Sequence, residues 1–361
     1  MKATQRLHEL GQSLWLDNIT REILENGTLR RYRDELSVTG VTSNPTIFDH
    51  AIGNTALYDG DIRAKARAGK SPEEIFFDVA LADLTQAADL FREVHESTGG
   101  VDGWVSMEVS PLLADDTNGS VAQARLLHDQ ASRPNLFVKI PGTPAGLPAI
   151  EELIFRGVPI NVTLLFAREH YLAAAGAYMR GLERRVAAGL DPKVSSVASL
   201  FVSRWDRATT GKIPESLQNR LGIAVGKRTY KAYRDLLASD RWKKLAEKGA
   251  LPQRLLWAST STKDPKASDV LYVTALAAPD TVDTMPDETL LALADHGEIK
   301  GAIPSDGRDA EEVLAQFGRA GTDVDDLAET LQRQGVESFD ASWRSLMARI
   351  KAKSEALAKT A

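Results

Sequence analysis

Lys139 carries the most chemical potential in this sequence. It stands in Asn135-Leu-Phe-Val-Lys-Ile-Pro-Gly142, a short apolar run that reads as a strand. Period-two alternation puts Leu136, Val138 and Ile140 on one face and Phe137 and Lys139 on the other. Burial makes an ammonium costly and favours the neutral amine. A neutral amine attacks carbonyl carbons and forms Schiff bases. A strand-end lysine that snorkels to water would have the same local sequence, so the neighbouring strands decide.

Those strands carry matching polar residues. In Leu14-Trp-Leu-Asp17 the leucines alternate against Trp15 and Asp17. In Val101–Val109, Trp104, Ser106 and Glu108 share one face. In Pro159–Leu164, Asn161 and Thr163 oppose Ile160, Val162 and Leu164. If this phase points into a barrel lumen, Asp17, Glu108, Lys139, Asn161 and Thr163 converge towards its C-terminal mouth. Schiff-base chemistry needs an amine, a proton shuttle for the carbinolamine and groups that orient substrate hydroxyls. A carboxylate beside a hydroxyl can hold the shuttling water. A second carboxylate can take the proton from the hydroxyl whose carbon–carbon bond breaks. Blander roles exist for each residue: Asp17 as a helix cap, Glu108 as a structural ion-pair partner of Lys139, Asn161 and Thr163 as groups that merely satisfy each other, and Asn44 as a turn residue before Pro45.

Strands are expected near Leu14–Asp17, Gly40–Asn44, Gly103–Val109, Leu136–Ile140, Pro159–Leu164, Val194–Val202, Leu255–Ser259 and Thr281–Met285, with helical patterns between most of them. Ser71-Pro-Glu-Glu has the signature of a helix start, and Ile75, Val79, Ala82 and Gln86 follow at helical spacing. Eight strands with helical connections predict an α/β fold, a closed (β/α)8 TIM barrel. A doubly wound open sheet is the alternative, but no Gly-x-Gly-x-x-Gly follows any strand. A single domain over 1–361 is expected, with a helical elaboration near 213–253 and a terminal helix near 336–361. That last segment repeats Phe339, Trp343, Met347 and Ile350 as one apolar stripe. Gly222-Ile-Ala-Val-Gly-Lys-Arg-Thr229 resembles a phosphate-binding loop but has three residues between its glycines, and reads as structural.

Bulk composition narrows the function class. The 361 residues are 43% hydrophobic, enough for a large core. The formal charge of −6 argues against a nucleic-acid partner. Without cysteine there is no disulfide, thiol catalysis or thiolate-held metal. The six histidines (His8, His50, His95, His128, His170 and His296) show no metal-ligand spacing. The first eighteen residues lack an apolar core of signal-peptide length, and the longest apolar run, near Leu271–Ala278, is too short to span a bilayer. A cytoplasmic protein with no membrane partner is the expectation.

Two longer segments resemble a known family. Gly40-Val-Thr-Ser-Asn-Pro-Thr-Ile-Phe48 and Leu136-Phe-Val-Lys-Ile-Pro-Gly-Thr-Pro-Ala-Gly-Leu-Pro-Ala-Ile-Glu-Glu-Leu153 are similar to the two signatures of the transaldolase family. Asn161–Phe166 resembles the family's next strand. The resemblance implies a barrel with no metal or cofactor. It implies transfer of a dihydroxyacetone unit from sedoheptulose 7-phosphate or fructose 6-phosphate to glyceraldehyde 3-phosphate or erythrose 4-phosphate, in the non-oxidative pentose phosphate pathway. The partners are then small phosphosugars, with the protein a monomer or homodimer. It makes Lys139 the Schiff-base lysine and Asp17 the acid that handles the C4 hydroxyl proton. Glu108 and Thr163 become the pair that holds the catalytic water, and Asn44 and Asn161 the binders of donor hydroxyls. Ser199 and Arg204 match the serine and phosphate-binding arginine of the sixth strand. After the seventh strand Ser259 keeps a serine, but Ser261 stands where many members have a second arginine. Lys263 can supply that charge, or be a solvated loop lysine. A fructose-6-phosphate aldolase-like lyase and a non-catalytic phosphosugar-binding barrel are the alternatives. Chain length and the glutamate at 108 favour the transferase.

Overall fold

In the computed structural model, which describes residues 1–359, eight parallel strands close into one barrel in chain order. They are β1 (Gln12–Leu16), β2 (Val38–Val41), β3 (Trp104–Glu108), β4 (Leu136–Pro141), β5 (Ile160–Leu165), β6 (Ser196–Phe201), β7 (Arg254–Ala258) and β8 (Thr281–Met285). Each is buried throughout or nearly so, as parallel strands flanked by crossover helices must be. The barrel is the TIM architecture with additional helices, including one at the C-terminus.

Register carries the polar phase from strand to strand. Glu108 of β3 lies beside Lys139 of β4, and Lys139 beside Asn161 of β5. The register shifts between Val162 and Leu165, where Leu164 takes a left-handed backbone (φ 59°). Such a leucine persists only where its surroundings hold it. Here Gln332 of the terminal helix donates to Leu164 O (3.0 Å) and to Gly142 O (3.2 Å).

The lower lumen is filled. Trp104 stacks on Phe137 with centroids 3.9 Å apart, and Trp15 packs against Phe137 at 6.1 Å. Gly40 is required beside this plug, because a Cβ there would meet Trp104 O at 2.6 Å and Trp15 Nε1 at 2.8 Å. Asp102 accepts from Trp15 Nε1 and Ser13 Oγ, and Arg254 donates to Ser13 Oγ and to the carbonyls of Thr281 and Val101. With that end stoppered, the polar groups above it face the C-terminal mouth.

Two helical expectations need correction. Ser71 and Glu74 form a capping box, and the helix runs Pro72–Leu90. Its buried face holds Ile75 and Val79 but continues through Asp83 and Ala87; Ala82 and Gln86 are exposed. A charged residue on the inner face hid the true stripe. Asp83 is fully buried, bonded by Arg21 Nε (3.0 Å) and Tyr58 OH (2.9 Å). The terminal helix spans Val324–Lys359, starting well before residue 336; residues 360 and 361 lie outside the described residues. Trp343, Leu346 and Ile350 form its buried face, with Trp343 edge-on to Phe76. Met347 is half-buried, and Phe339 faces a cavity at the barrel mouth.

That helix is fastened to the helix Pro45–Asn54, which follows β2. Thr46 bonds Ser342, Asp49 bonds Ser345 and Arg349, and Lys353 donates to the carbonyls of Ile52 and Thr55. The segment 213–253 contains the helices Leu221–Ala238 and Asp240–Ala246, the first of which packs against β7 and the helix Ser203–Thr209. The glycines of the loop-like motif lie inside Leu221–Ala238.

Candidate active site

A cavity of about 730 Å³ opens at the C-terminal end of the barrel. Asp17, Asn44, Lys139, Asn161, Thr163, Ser199, Arg204, Ser259 and Lys263 all line it. Glu108 does not line it but touches the lysine within.

Lys139 is 7% exposed, on a strand whose every residue is buried. Its Nζ lies 2.9 Å from Glu108 Oε1 and donates to Ser43 O at 2.9 Å. Burial raises the Glu108 pKa, with the Lys139 charge opposing it and the Asp17 charge adding to it. Proton transfer from nitrogen to carboxylate is therefore within reach over one short contact. Glu108 Oε2 and Thr163 Oγ1 are both buried with no hydrogen-bond partner among the described residues. Buried polar atoms are rarely left so, and water between a carboxylate and a hydroxyl would satisfy both.

Asp17 follows directly on β1, its amide held by Met285 O of β8 (2.8 Å). Thr42 Oγ1 donates to its Oδ1 at 2.9 Å, and Thr42 also meets Thr284 Oγ1 at 2.7 Å. The side chain lines the cavity. Burial raises its pKa; Lys139 and the hydrogen bonds from Thr42 and Asn44 act in the other direction. Asp17 does not cap the next helix, because Thr20 does.

The asparagines are held rigidly. Asn161 donates to Ser106 Oγ (3.1 Å) and accepts from Ser199 Oγ (2.7 Å). Asn44 caps the helix Pro45–Asn54 by accepting from Ile47 N at 3.2 Å, which leaves its amide NH2 to donate into the site.

The opposite wall is cationic. The Arg204 guanidinium lies 5.1 Å from the Phe201 ring centre and 5.9 Å from that of Phe339. Burial, with Arg207 nearby, holds its pKa below the ordinary arginine value. Ser259 takes a left-handed backbone (φ 57°) and its hydroxyl pairs with that of Ser203 at 2.9 Å. Lys263 is exposed at the rim.

Sequence reasoning passed over several contributors. Thr42 lies inside a quoted signature, and Ser106 lies on the lumen phase of its strand, yet neither was singled out. Arg207 sits three residues beyond Arg204, the spacing that places both on one helical face. Ser338 and Phe339 reach the cavity from a helix remote in sequence, which leaves no local signal.

The fold and this constellation define a (β/α)8 barrel with an amine-centred polar site at its C-terminal mouth. A family model described as transaldolase/fructose-6-phosphate aldolase matches residues 14–350. The transaldolase of Parafrankia sp. (strain EAN1pec) is 44% identical over 355 residues, covering 96% of each chain. That of Frankia alni is 45% identical over 353 residues, and that of Acidothermus cellulolyticus 44% over 352, each covering 95% of both chains. The chain belongs to the transaldolase/fructose-6-phosphate aldolase family.

Proposed function

We propose that this chain is a transaldolase that transfers a dihydroxyacetone unit between phosphosugars through a Schiff base on Lys139. The full-length similarity to proteins named transaldolase supports the activity. The 2.9 Å contact between Lys139 Nζ and Glu108 Oε1 carries the assignment of residues.

Glu108 takes a proton from Nζ, and the freed lone pair attacks C2 of the ketose. The carbinolamine loses its hydroxyl as water, with the proton delivered through a water held by Glu108 and Thr163. The iminium is then an electron sink. Asp17 removes the proton from the C4 hydroxyl, the C3–C4 bond breaks, and its electron pair moves into the iminium as an enamine. The shortened aldose phosphate leaves. The enamine attacks the aldehyde carbon of a second aldose phosphate, whose new alkoxide recovers the proton from Asp17. Hydrolysis of the iminium, again through Glu108 and Thr163, releases the new ketose. Asn44, Asn161 and Ser199 orient the donor hydroxyls, while Arg204, Ser259 and Lys263 hold the phosphate.

Phosphosugars are retained inside cells by their charge, which fits action in the cytoplasm, and the formal charge of −6 fits a protein without a nucleic-acid partner. Among the described residues, no helix is long and apolar enough to cross a membrane. Incubation with fructose 6-phosphate and erythrose 4-phosphate tests the transfer. Formation of a seven-carbon ketose phosphate is the expected result. Steady release of free dihydroxyacetone, unaffected by the acceptor, would make the protein a lyase instead.

A further inference from the structure

We propose that Arg207 is a second phosphate-contacting arginine, left free because Asp206 is committed elsewhere. This rests on the reading above, in which the substrates are phosphate monoesters. The helix Ser203–Thr209 carries Arg204 and Arg207 at i and i+3, and both line the cavity. Neither forms an ion pair with a carboxylate among the described residues. Asp206, between them in sequence, would be the obvious counter-ion. It is buried, and although it borders the same hollow as Arg207, both its oxygens are engaged by other groups. Its Oδ1 accepts from Leu221 N (2.9 Å), and its Oδ2 from Gly222 N (3.1 Å) and Tyr272 OH (3.0 Å).

Gly222 makes that arrangement possible. A Cβ there would lie 2.5 Å from Val202 O and 2.9 Å from Asp206 Oδ2. The glycine of the loop-like motif thus lets the helix Leu221–Ala238 meet Asp206 with its first backbone donors. The negative charge of Asp206 is spent on that helix end, and the arginines on either side keep theirs.

The two arginines sit at different depths. Arg204 lies partly buried between aromatic rings. Arg207 is exposed and, with Lys263, also borders an adjoining hollow of about 980 Å³. The carboxylates lining the main cavity, Asp17 and Glu22, come instead from the segment after β1. Like charges held together are unfavourable until an anion joins them, and Arg207 depresses the Arg204 pKa in keeping with that. A phosphate dianion offers enough oxygens for two guanidinium forks. Arg204 grips it from within and Arg207 closes the outer side.

The experiment compares fructose 6-phosphate with unphosphorylated fructose as donors, and measures competitive inhibition by inorganic phosphate. Arg207→Ala should lower the kcat/KM ratio of the phosphorylated to the unphosphorylated donor by about tenfold, as expected for one charge-assisted contact at a partly solvated site. The inhibition constant for phosphate should rise by a similar factor, and Arg207→Lys should restore part of both. Tyr272→Phe removes one contact to Asp206 and should raise KM for the phosphorylated donor by a smaller factor, with kcat retained. An unchanged donor ratio and unchanged phosphate inhibition in Arg207→Ala overturn the proposal. An unchanged KM in Tyr272→Phe overturns the positioning role of Asp206. Borohydride trapping of the donor on Lys139 in the unaltered protein keeps the two levels apart, since its failure would strike the catalytic reading rather than Arg207.

Discussion

Replacing Glu108 with glutamine probes the structure at its most demanding point. The substitution keeps the size of the side chain but removes the carboxylate 2.9 Å from Lys139 Nζ. Two effects follow from that geometry. The amine loses its proton acceptor, and the water between positions 108 and 163 loses its general base. General acid–base contributions run to about 10²–10⁴-fold, so a kcat loss of about 10²–10³-fold is expected. KM should change by no more than a few-fold, because Glu108 does not line the cavity. A separate effect is on stability. Lys139 is buried, and breaking a buried ion pair by removing one partner costs about 3–5 kcal/mol. Glu108→Gln should therefore melt several degrees lower, and adding Lys139→Met should recover much of that loss by removing the stranded charge. Steady-state kinetics, single-turnover borohydride trapping and thermal denaturation measure the three quantities. A loss confined to KM, or a double variant less stable than Glu108→Gln, would refute the reasoning.

Other outcomes follow from the same geometry. Asp17→Asn should still form the imine but stall before cleavage, so mass spectrometry after trapping should find the intact donor adduct; normal turnover would remove the acid/base role. Asp17 acts as a base only when ionised, and burial raises its pKa, so kcat should fall as pH drops through that raised value; a kcat that stays level across the acid range would deny Asp17 the role of base. Arg204→Ala should reduce kcat/KM for phosphorylated donors by about ten- to a hundredfold, the worth of a charge-assisted contact, with far less effect on unphosphorylated ones; equal losses would deny a phosphate role. Asp283 is fully buried and accepts from Thr260 Oγ1, and its pKa is pushed well up by desolvation. A group raised on folding contributes its stability below the unfolded-state pKa and loses it as pH rises through the folded value. Asp283→Asn should therefore flatten the stability–pH curve, gaining on the native protein as pH rises; denaturant melts across pH check this.

The barrel was legible because several strands, β1, β4 and β5 among them, alternate or are largely apolar, and because helical patterns lie between most of the strands. The lumen phase was legible for the same reason: Glu108, Lys139 and Asn161 had to fall side by side once three neighbouring strands were in register. The helix from Pro72 was legible from its serine cap, first-position proline and first-turn acids, but its inner face was misread through Ala82 and Gln86 because the residue that belongs there, Asp83, is charged. Its partners Arg21 and Tyr58 come from distant segments, so nothing local shows that the charge is satisfied. The terminal helix was shortened for a similar reason. Gln332, near its start, is polar in sequence yet buried over two carbonyls of the barrel mouth. Phe339 reads as one more member of an apolar stripe until the helix is docked across the mouth. The freedom of Arg207 depends on where Asp206 turns, and that is decided by Gly222 and Tyr272.

Covalent trapping shows whether Lys139 carries the reaction intermediate. The protein is incubated with fructose 6-phosphate, reduced with borohydride, digested and mapped by mass spectrometry. The mass of a reduced three-carbon dihydroxyacetone unit should appear on the peptide containing Lys139, and Lys139→Arg, folded but inactive, should carry none. A stable adduct on any other lysine, or full activity in Lys139→Arg, would contradict the account.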